Sequence, residues 1–474
     1  MRKNILLITV DQMRHDALGL RGVFPVKTPH LDELAASGCL FENAYCANPL
    51  CTPSRASIMT GQQCFQNGVY YNDQNWPRTT PTIPSLLSSN GYYAIKIGKT
   101  HFNPINFYGG FDKIIGDYDL RGTFDEGAAE SDKPGWEGVV ERQYHERKAP
   151  TPYDTYEPVV HQRVAIGELR KLVQQRDCAG SAALEPFFMW LSFKQPHTPC
   201  NPPEPYRSMY DPACMLEAVK SDEEIEKCSP EVQKAMRYWT SIDEPLRRSF
   251  MARYLGSVTL LDKLIGELLE FLKENDLVDN TLVAFTSDHG DYLGDHHLQQ
   301  KGLFHDCASK VPLIFRGPGI ARGRVLSRNV NLIDLLPTFL DEARLLMPAR
   351  RDSNGNPLYD QELDIRGISL LPCMHPDSEP EGEEDRRVVV SEFGVHGQGI
   401  MLKQGSTKIN CYPRSGHWDH FEIDRDPNEL NNLGGMQKPA LTPEMEQTLQ
   451  QVMDGTARWK DRFYFFEKVR PMFT

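Results

Sequence analysis

Asn4-Ile5-Leu6-Leu7-Ile8-Thr9-Val10, running straight into Asp11-Gln12, is the stretch on which the fold turns. A near-continuous apolar run of this kind is the pattern of a strand buried on both faces of a parallel sheet. Three further runs match it: Pro186 to Leu191, Thr281 to Thr286, and Val311 to Phe315. Helical periodicity lies between them. From Phe250 onward, Tyr254, Leu255, Val258, Leu261, Leu264, Ile265, Leu268 and Leu272 recur at three and four and form one apolar stripe. Strands alternating with helices predict an α/β fold, a large, mostly parallel central sheet sandwiched by helices.

The 474 residues far exceed the size at which burial limits stability. Lys and Arg number 52 against 65 Asp and Glu, a formal charge of −13, which argues against general nucleic-acid binding. No apolar run approaches the ~18 residues that a membrane span needs. Met1-Arg2-Lys3 before Ile5 imitates the start of a signal peptide, but Asp11 stops the apolar run and no small-residue cleavage site follows. Eleven cysteines without repeating spacing suit a reducing compartment, so a cytoplasmic location is expected.

Three regions interrupt the periodicity. Residues 118 to 160 and 200 to 246 read as long loops, and 345 to 387 is Pro/Gly/Asp-rich and ends in an acidic run over 381–385 that reads as solvated surface. Short strands from Arg387 onward predict a small C-terminal α+β domain with a short antiparallel sheet. The chain divides on this reading into residues 1–372, catalytic, and 373–474.

In an open α/β sheet, ligands sit beyond the carboxyl ends of the strands. The first strand ends at Asp11-Gln12, and the strand from Thr281 ends at Asp288-His289-Gly290. Two carboxylates, an amide oxygen and an imidazole at one sheet edge favour a hard divalent cation, with the histidine leaving room for a transition metal. Taken alone, Asp11 reads as capping a turn and Asp288 as forming an Asx-turn. From Cys51 to Gly61 a proline-rich loop gives way to a helix, with Pro53 suited to its first turn and Gly61 to its stop. Cys51 then sits where free N–H groups and the helix dipole attract an anion, and Arg55 can point back at the same place.

The string Cys51-Thr52-Pro53-Ser54-Arg55 followed by Met59-Thr60-Gly61 resembles the signature of the sulfatase family of the alkaline-phosphatase superfamily. The similarity continues in Thr28-Pro29-His30-Leu31-Asp32, Gly98-Lys99-Thr100-His101, Pro196-His197-Thr198-Pro199, Thr286 to Asp291 with Lys301, and Asp426-Pro427-Asn428-Glu429-Leu430. It spans nearly the whole chain, in the family's order.

The resemblance implies that Asp11, Gln12, Cys51, Asp288 and His289 hold one divalent cation, usually Ca2+, with Mn2+ as the alternative. It implies that Cys51 is oxidised to formylglycine (3-oxoalanine) by a formylglycine-generating or equivalent enzyme. The hydrated aldehyde would attack sulfur through one hydroxyl, and the second hydroxyl would then expel sulfate. A sulfated serine would be stuck at that stage, whereas a hemiacetal ester collapses by C–O cleavage. By the same resemblance Arg55 and Lys99 orient the diol and neutralise sulfate, His101 takes the proton that triggers release, and His197 and Lys301 contact sulfate and assist the leaving group. The substrate expected is a small aryl, alkyl or carbohydrate sulfate, or a sulfamate, with no nucleic acid or membrane partner; a homo-oligomer is compatible with it.

Two departures matter. Many relatives carry a second aspartate where Gln12 stands and an asparagine where His289 stands. A neutral amide at position 12 lowers the site's negative charge, which weakens calcium and admits manganese. The Asp-Gln and Asp-His combination also occurs in phosphonate monoester and phosphodiester hydrolases of the superfamily, which lack the turn preserved by Lys99 and His101; that turn favours sulfate esters. A non-catalytic binder of sulfated ligands would have no use for His101. The histidines His296, His297 and His305 read as loop residues at the site mouth, with zinc as the alternative. Cys39, Cys46 and Cys64 read as small buried apolar residues, and Tyr70, Tyr71 and Trp76 as pocket lining or core. Specificity is expected in the loops 70–80, 103–160 and 200–246.

Overall fold

The computed structural model describes residues 2–72, 74–76, 80–101, 109–116, 144, 152–178, 185–238, 242–345, 350–351, 357–358, 364–378, 387–393 and 399–459. Most of the 118–160 loop and the acidic run at 381–385 lie outside them.

The run from Asn4 is the central strand β1 (Asn4–Asp11), and all eight of its residues are buried. The other strands of its sheet are β2 (Cys39–Tyr45), β3 (Tyr93–Gly98), β4 (Lys113–Ile115), β5 (Phe187–Pro196), β6 (Thr281–Ser287), β7 (Lys310–Arg316) and β8 (Arg324–Asn331), in the order β4-β3-β5-β1-β6-β7-β2-β8. Strand β1 pairs in parallel with β5 (Ile5 opposite Phe188) and with β6 (Val10 opposite Ser287). Its side chains alternate between two cores: Leu6, Ile8 and Val10 on one face, Ile5 and Leu7 on the other. Burial on both faces explains why no polar residue interrupts the run before Thr9.

One strand differs from the expectation. Val311 to Phe315 lies in β7, which is antiparallel to both of its neighbours, β6 and β2. A parallel return needs a crossover over the sheet. Between Ser287 and Lys310 the chain forms only a three-residue 3-10 turn and a four-residue helix, so it re-enters from the edge it left.

Helices α1 (Pro29–Ala36), α2 (Cys51–Thr60), α3 (Glu157–Cys178) and α4 (Glu244–Glu274) cover the sheet. The α4 stripe from Tyr254 to Leu272 is buried throughout, and its start is capped by Asp243, whose carboxylate accepts from the Leu246 N–H. Within the interrupted stretch 200–246, the chain forms short helices at Asp222–Lys227 and Pro230–Tyr238.

A two-stranded ribbon pairs β9 (Arg350–Arg351) with β10 (Pro357–Leu358). The C-terminal part forms a four-stranded antiparallel sheet of β11 (Val389–Phe393), β12 (Gly399–Gln404), β13 (Thr407–Tyr412) and β14 (His417–Glu422). Helix α5 (Pro443–Ala457) packs Met445, Leu449 and Val452 against Val390, Ile400 and Leu402 of this sheet. The small sheet is tied to the large body by Glu392 N–H donating to Ala47 O and by Asn331 Nδ2 donating to Val390 O. Among the described residues, no helix is long and apolar enough to cross a membrane.

Candidate active site

Four parallel strands deliver the site from their carboxyl ends. Strand β1 ends in Asp11 and leads into Gln12, β6 leads into Asp288 and His289, β3 into Lys99, and β5 into His197. Strand β2 runs in the same sense and leads to α2, whose first residue is Cys51. Leu50 is extended, so the helix begins sharply at the cysteine, and Gly61 ends it in the left-handed conformation at φ 66°.

The ligand atoms of Asp11, Cys51, Asp288 and His289 lie within 4.8 Å of one another, and all four residues are buried. Cys51 Sγ is 3.6 Å from Asp11 Oδ1 and 3.2 Å from His289 Nε2. His289 Nδ1 donates to Gly290 O at 2.9 Å, which leaves Nε2 as the nitrogen that faces the cluster. Two carboxylates, an imidazole and a sulfur converging in a buried site fit a divalent cation.

Arg55 organises this cluster from α2. Its Nε donates to Asp288 Oδ2 at 2.8 Å, one terminal nitrogen donates to Asp11 Oδ2 at 3.1 Å, and the other reaches Lys99 O and Ser192 Oγ. Lys99 Nζ also donates to Asp11 Oδ2. Burial pushes the Asp11 carboxyl up, but Lys99, His197, Arg55 and His289 outweigh it and hold it well below the ordinary range. Burial and the Asp11 charge instead push Asp288 up to about 6. For Cys51, burial and Asp11 raise the thiol, and Lys301, Lys99 and His289 outweigh them, so the sulfur is held well below its ordinary value.

The remaining expected residues surround this group. Gln12 adopts φ 73°; its oxygen accepts from Lys301 Nζ and its amide nitrogen donates to Asp291 Oδ2. His197 is half-buried, with Nδ1 facing Thr198 O at 2.6 Å, and burial followed by Lys301 lowers it to about 4. His101 lies beside the start of α2, its carbonyl accepting from Thr52 Oγ1 at 3.3 Å.

Sequence reasoning missed three supports. Ser192 interrupts the apolar β5 run, a polar residue out of pattern, and it receives Arg55. Ser54 Oγ donates to Asp288 O at 2.6 Å, and Asp291 holds Gln12. His296 and His305 do not line a mouth. They stack at 3.9 Å inside a separate core, with His296 Nδ1 against Glu224 Oε2 at 2.8 Å. Cys39, Cys46 and Cys64 are buried as expected, whereas Cys178 and Cys214 are exposed. Tyr70, Tyr71 and Trp76 are all buried.

The sequence model of the family described as Sulfatase matches residues 3–344. The chain belongs to the sulfatase family. This sulfatase is 30% identical to the arylsulfatase of Clostridium perfringens (strain 13 / Type A), over 91% of this chain and 90% of that one. Its fold is shared with solved structures. The phosphonate monoester hydrolase from Silicibacter pomeroyi superposes with a TM-score of 0.75 at 23% identity, covering 96% of each chain. A protein solved in complex with its substrate D-glucosamine-2-N,6-O-disulfate gives 0.71 at 22% identity, covering 97% of this chain and 99% of that one. As a sulfatase the chain is a sulfuric ester hydrolase of a family that implies a metal ion, and its buried Asp11, Cys51, Asp288 and His289 are a group that could hold one.

Proposed function

We propose that this sulfatase hydrolyses small aryl, alkyl or carbohydrate sulfates, using residue 51 after conversion of Cys51 to formylglycine and one divalent cation, Ca2+ with Mn2+ as the alternative. The observation that carries the reading is the meeting of Asp11, Cys51, Asp288 and His289 within 4.8 Å at the start of α2. Gln12 completes the proposed ligand set. When in place, the cation and the modified residue supply a Lewis acid and a hydroxyl nucleophile.

The chain's own residues do the rest. Arg55 holds Asp11 and Asp288 in one geometry, and its charge with that of Lys99 faces the anion that develops at sulfur. Lys301 and His197 contact the sulfate and assist the leaving group, and His101 accepts the proton that accompanies sulfate release. Strands β1, β3, β5 and β6 hold these groups on a rigid edge, so little rearrangement accompanies reaction. The maturation enzyme is the one macromolecular partner this reading requires, and the cytoplasm remains the proposed location.

The experiment is twofold. The mass of the peptide carrying Cys51, from protein produced beside a formylglycine-generating enzyme, should show loss of the thiol. Turnover by wholly unmodified protein would overturn the mechanism. Matched sulfate, phosphonate and phosphodiester esters should show clear preference for sulfate; preference for phosphodiesters would move the chain to the Asp-Gln/Asp-His hydrolases instead.

A further inference from the structure

We propose that Asp291 is a positioning residue of the cation site: it fixes the Gln12 amide so that the oxygen, rather than the nitrogen, is presented inward. The inference rests on the reading of Gln12 as a cation ligand. A carboxamide has an accepting end and a donating end of nearly equal shape, so nothing intrinsic decides which one faces a ligand. Here the surroundings decide. Asp291 Oδ2 receives the Gln12 Nε2 hydrogen, while Lys301 Nζ, which can only donate, points at Oε1. An acceptor on one side and a donor on the other leave a single orientation.

Asp291 and Gln12 are themselves held. Asp291 is 1% exposed, its Oδ1 accepts from Leu293 N–H at 2.9 Å, its own N–H donates to Cys307 O at 2.9 Å, and its carbonyl accepts from Arg14 at 3.2 Å. The Gln12 backbone is held by its N–H donating to Asp288 Oδ1 at 3.1 Å and its carbonyl accepting from Tyr254 Oη at 2.9 Å. With the two backbones set, the amide is the remaining rotor, and Asp291 stops it.

The pairing also accounts for an amide at position 12. A carboxylate there would face Asp291 in a buried space, and like charges at hydrogen-bond distance are strongly unfavourable. The negative charge that a second aspartate would bring to the cation is held one residue further out, on Asp291, and reaches the site through the polarised amide. Gln12 and Asp291 are therefore a matched pair, and each restricts what the other can be.

The experiment uses the full-length chain in four forms: unsubstituted, Asp291→Asn, Gln12→Glu, and Gln12→Glu/Asp291→Asn. Two quantities are read, the Ca2+ dissociation constant by calorimetry and the melting temperature without cation. Asp291→Asn should weaken Ca2+ by roughly 10- to 100-fold, the usual consequence of losing an outer hydrogen-bond partner. Gln12→Glu alone should melt well below the unsubstituted protein. The double variant, which restores a donor and an acceptor in exchanged order, should recover most of that melting temperature and bind Ca2+ more tightly than Asp291→Asn. Should Gln12→Glu fail to fold, recovery in the double variant still carries the result. Unchanged Ca2+ affinity in Asp291→Asn, or a double variant that melts no higher than Gln12→Glu, would overturn the positioning role and leave the sulfatase mechanism standing. An unsubstituted protein that binds no Ca2+ or Mn2+ would overturn both.

Discussion

The sulfur of Cys51 stands 3.2 Å from His289 Nε2, the ring nitrogen turned to the cluster while Nδ1 engages the Gly290 carbonyl. A soft sulfur and an imidazole nitrogen are thus set side by side, 3.6 and 3.7 Å from the same oxygen of Asp11.

For the unmodified protein this predicts a thiophilic metal site. Added Co2+ should give a sulfur-to-cobalt charge-transfer band in the near ultraviolet, since Cys and His are ligands for such ions. Cys51→Ser should bind without the band. A spectrum identical in the two proteins would show that the thiol is not a ligand.

Arg55 is fully buried and bonds to two carboxylates, a hydroxyl and a carbonyl. Arg55→Met should destabilise the metal-free protein by about 3–5 kcal/mol in denaturant unfolding, because buried charges lose their partner. Arg55→Lys cannot span the same four acceptors and should recover only part of the loss. Wild-type stability in Arg55→Met would contradict the bracing role.

A third expectation concerns pH. Burial pushes the Glu392 carboxyl up to about 8, where Phe65 N–H and Tyr70 Oη donate to it between the small sheet and the large body. A folded-state value above the ordinary one means that the neutral acid stabilises the fold. That contribution is complete below about 4.5 and disappears as pH rises through about 8. The melting temperature should fall between about pH 5 and pH 8 more steeply in wild type than in Glu392→Gln, whose amide can serve both neighbours once the Tyr70 hydroxyl turns toward Thr456. Parallel curves would refute the assignment.

Tyr254 reaches from α4 to join Gln12 O and Arg14 N–H through one hydroxyl. Tyr254→Phe leaves both groups buried without that partner, and should cost about 1–3 kcal/mol. Because Gln12 holds φ 73°, Ca2+ affinity should fall as well; a change in stability alone would separate the hydroxyl from the cation site.

The large sheet was legible because β1 and β6 are buried on both faces and therefore spell themselves as unbroken apolar runs ending in Asp11 and Asp288. The α2 boundaries followed from Cys51 and Gly61, since a left-handed C-cap strongly favours glycine. The direction of β7 was not legible, because an apolar run looks the same whichever way the chain re-enters. Nor was the stacking of His296 on His305, or the hold of Asp291 on Gln12, 279 residues earlier. Pairings across such separations are set by how loops fold back over the sheet edge, and local pattern carries no trace of them.

All ten residues of α2 are buried. A second protein that must grip and oxidise Cys51 needs that segment as accessible, extended chain, and the finished fold offers neither. The conversion proposed at Cys51 therefore has a deadline: it belongs to the newly made polypeptide, and a molecule that folds with its thiol intact has missed the moment and becomes a terminal product. Incubating the folded thiol protein with the maturation enzyme should leave the mass of the Cys51 peptide unchanged, whereas the same protein unfolded beforehand should be converted.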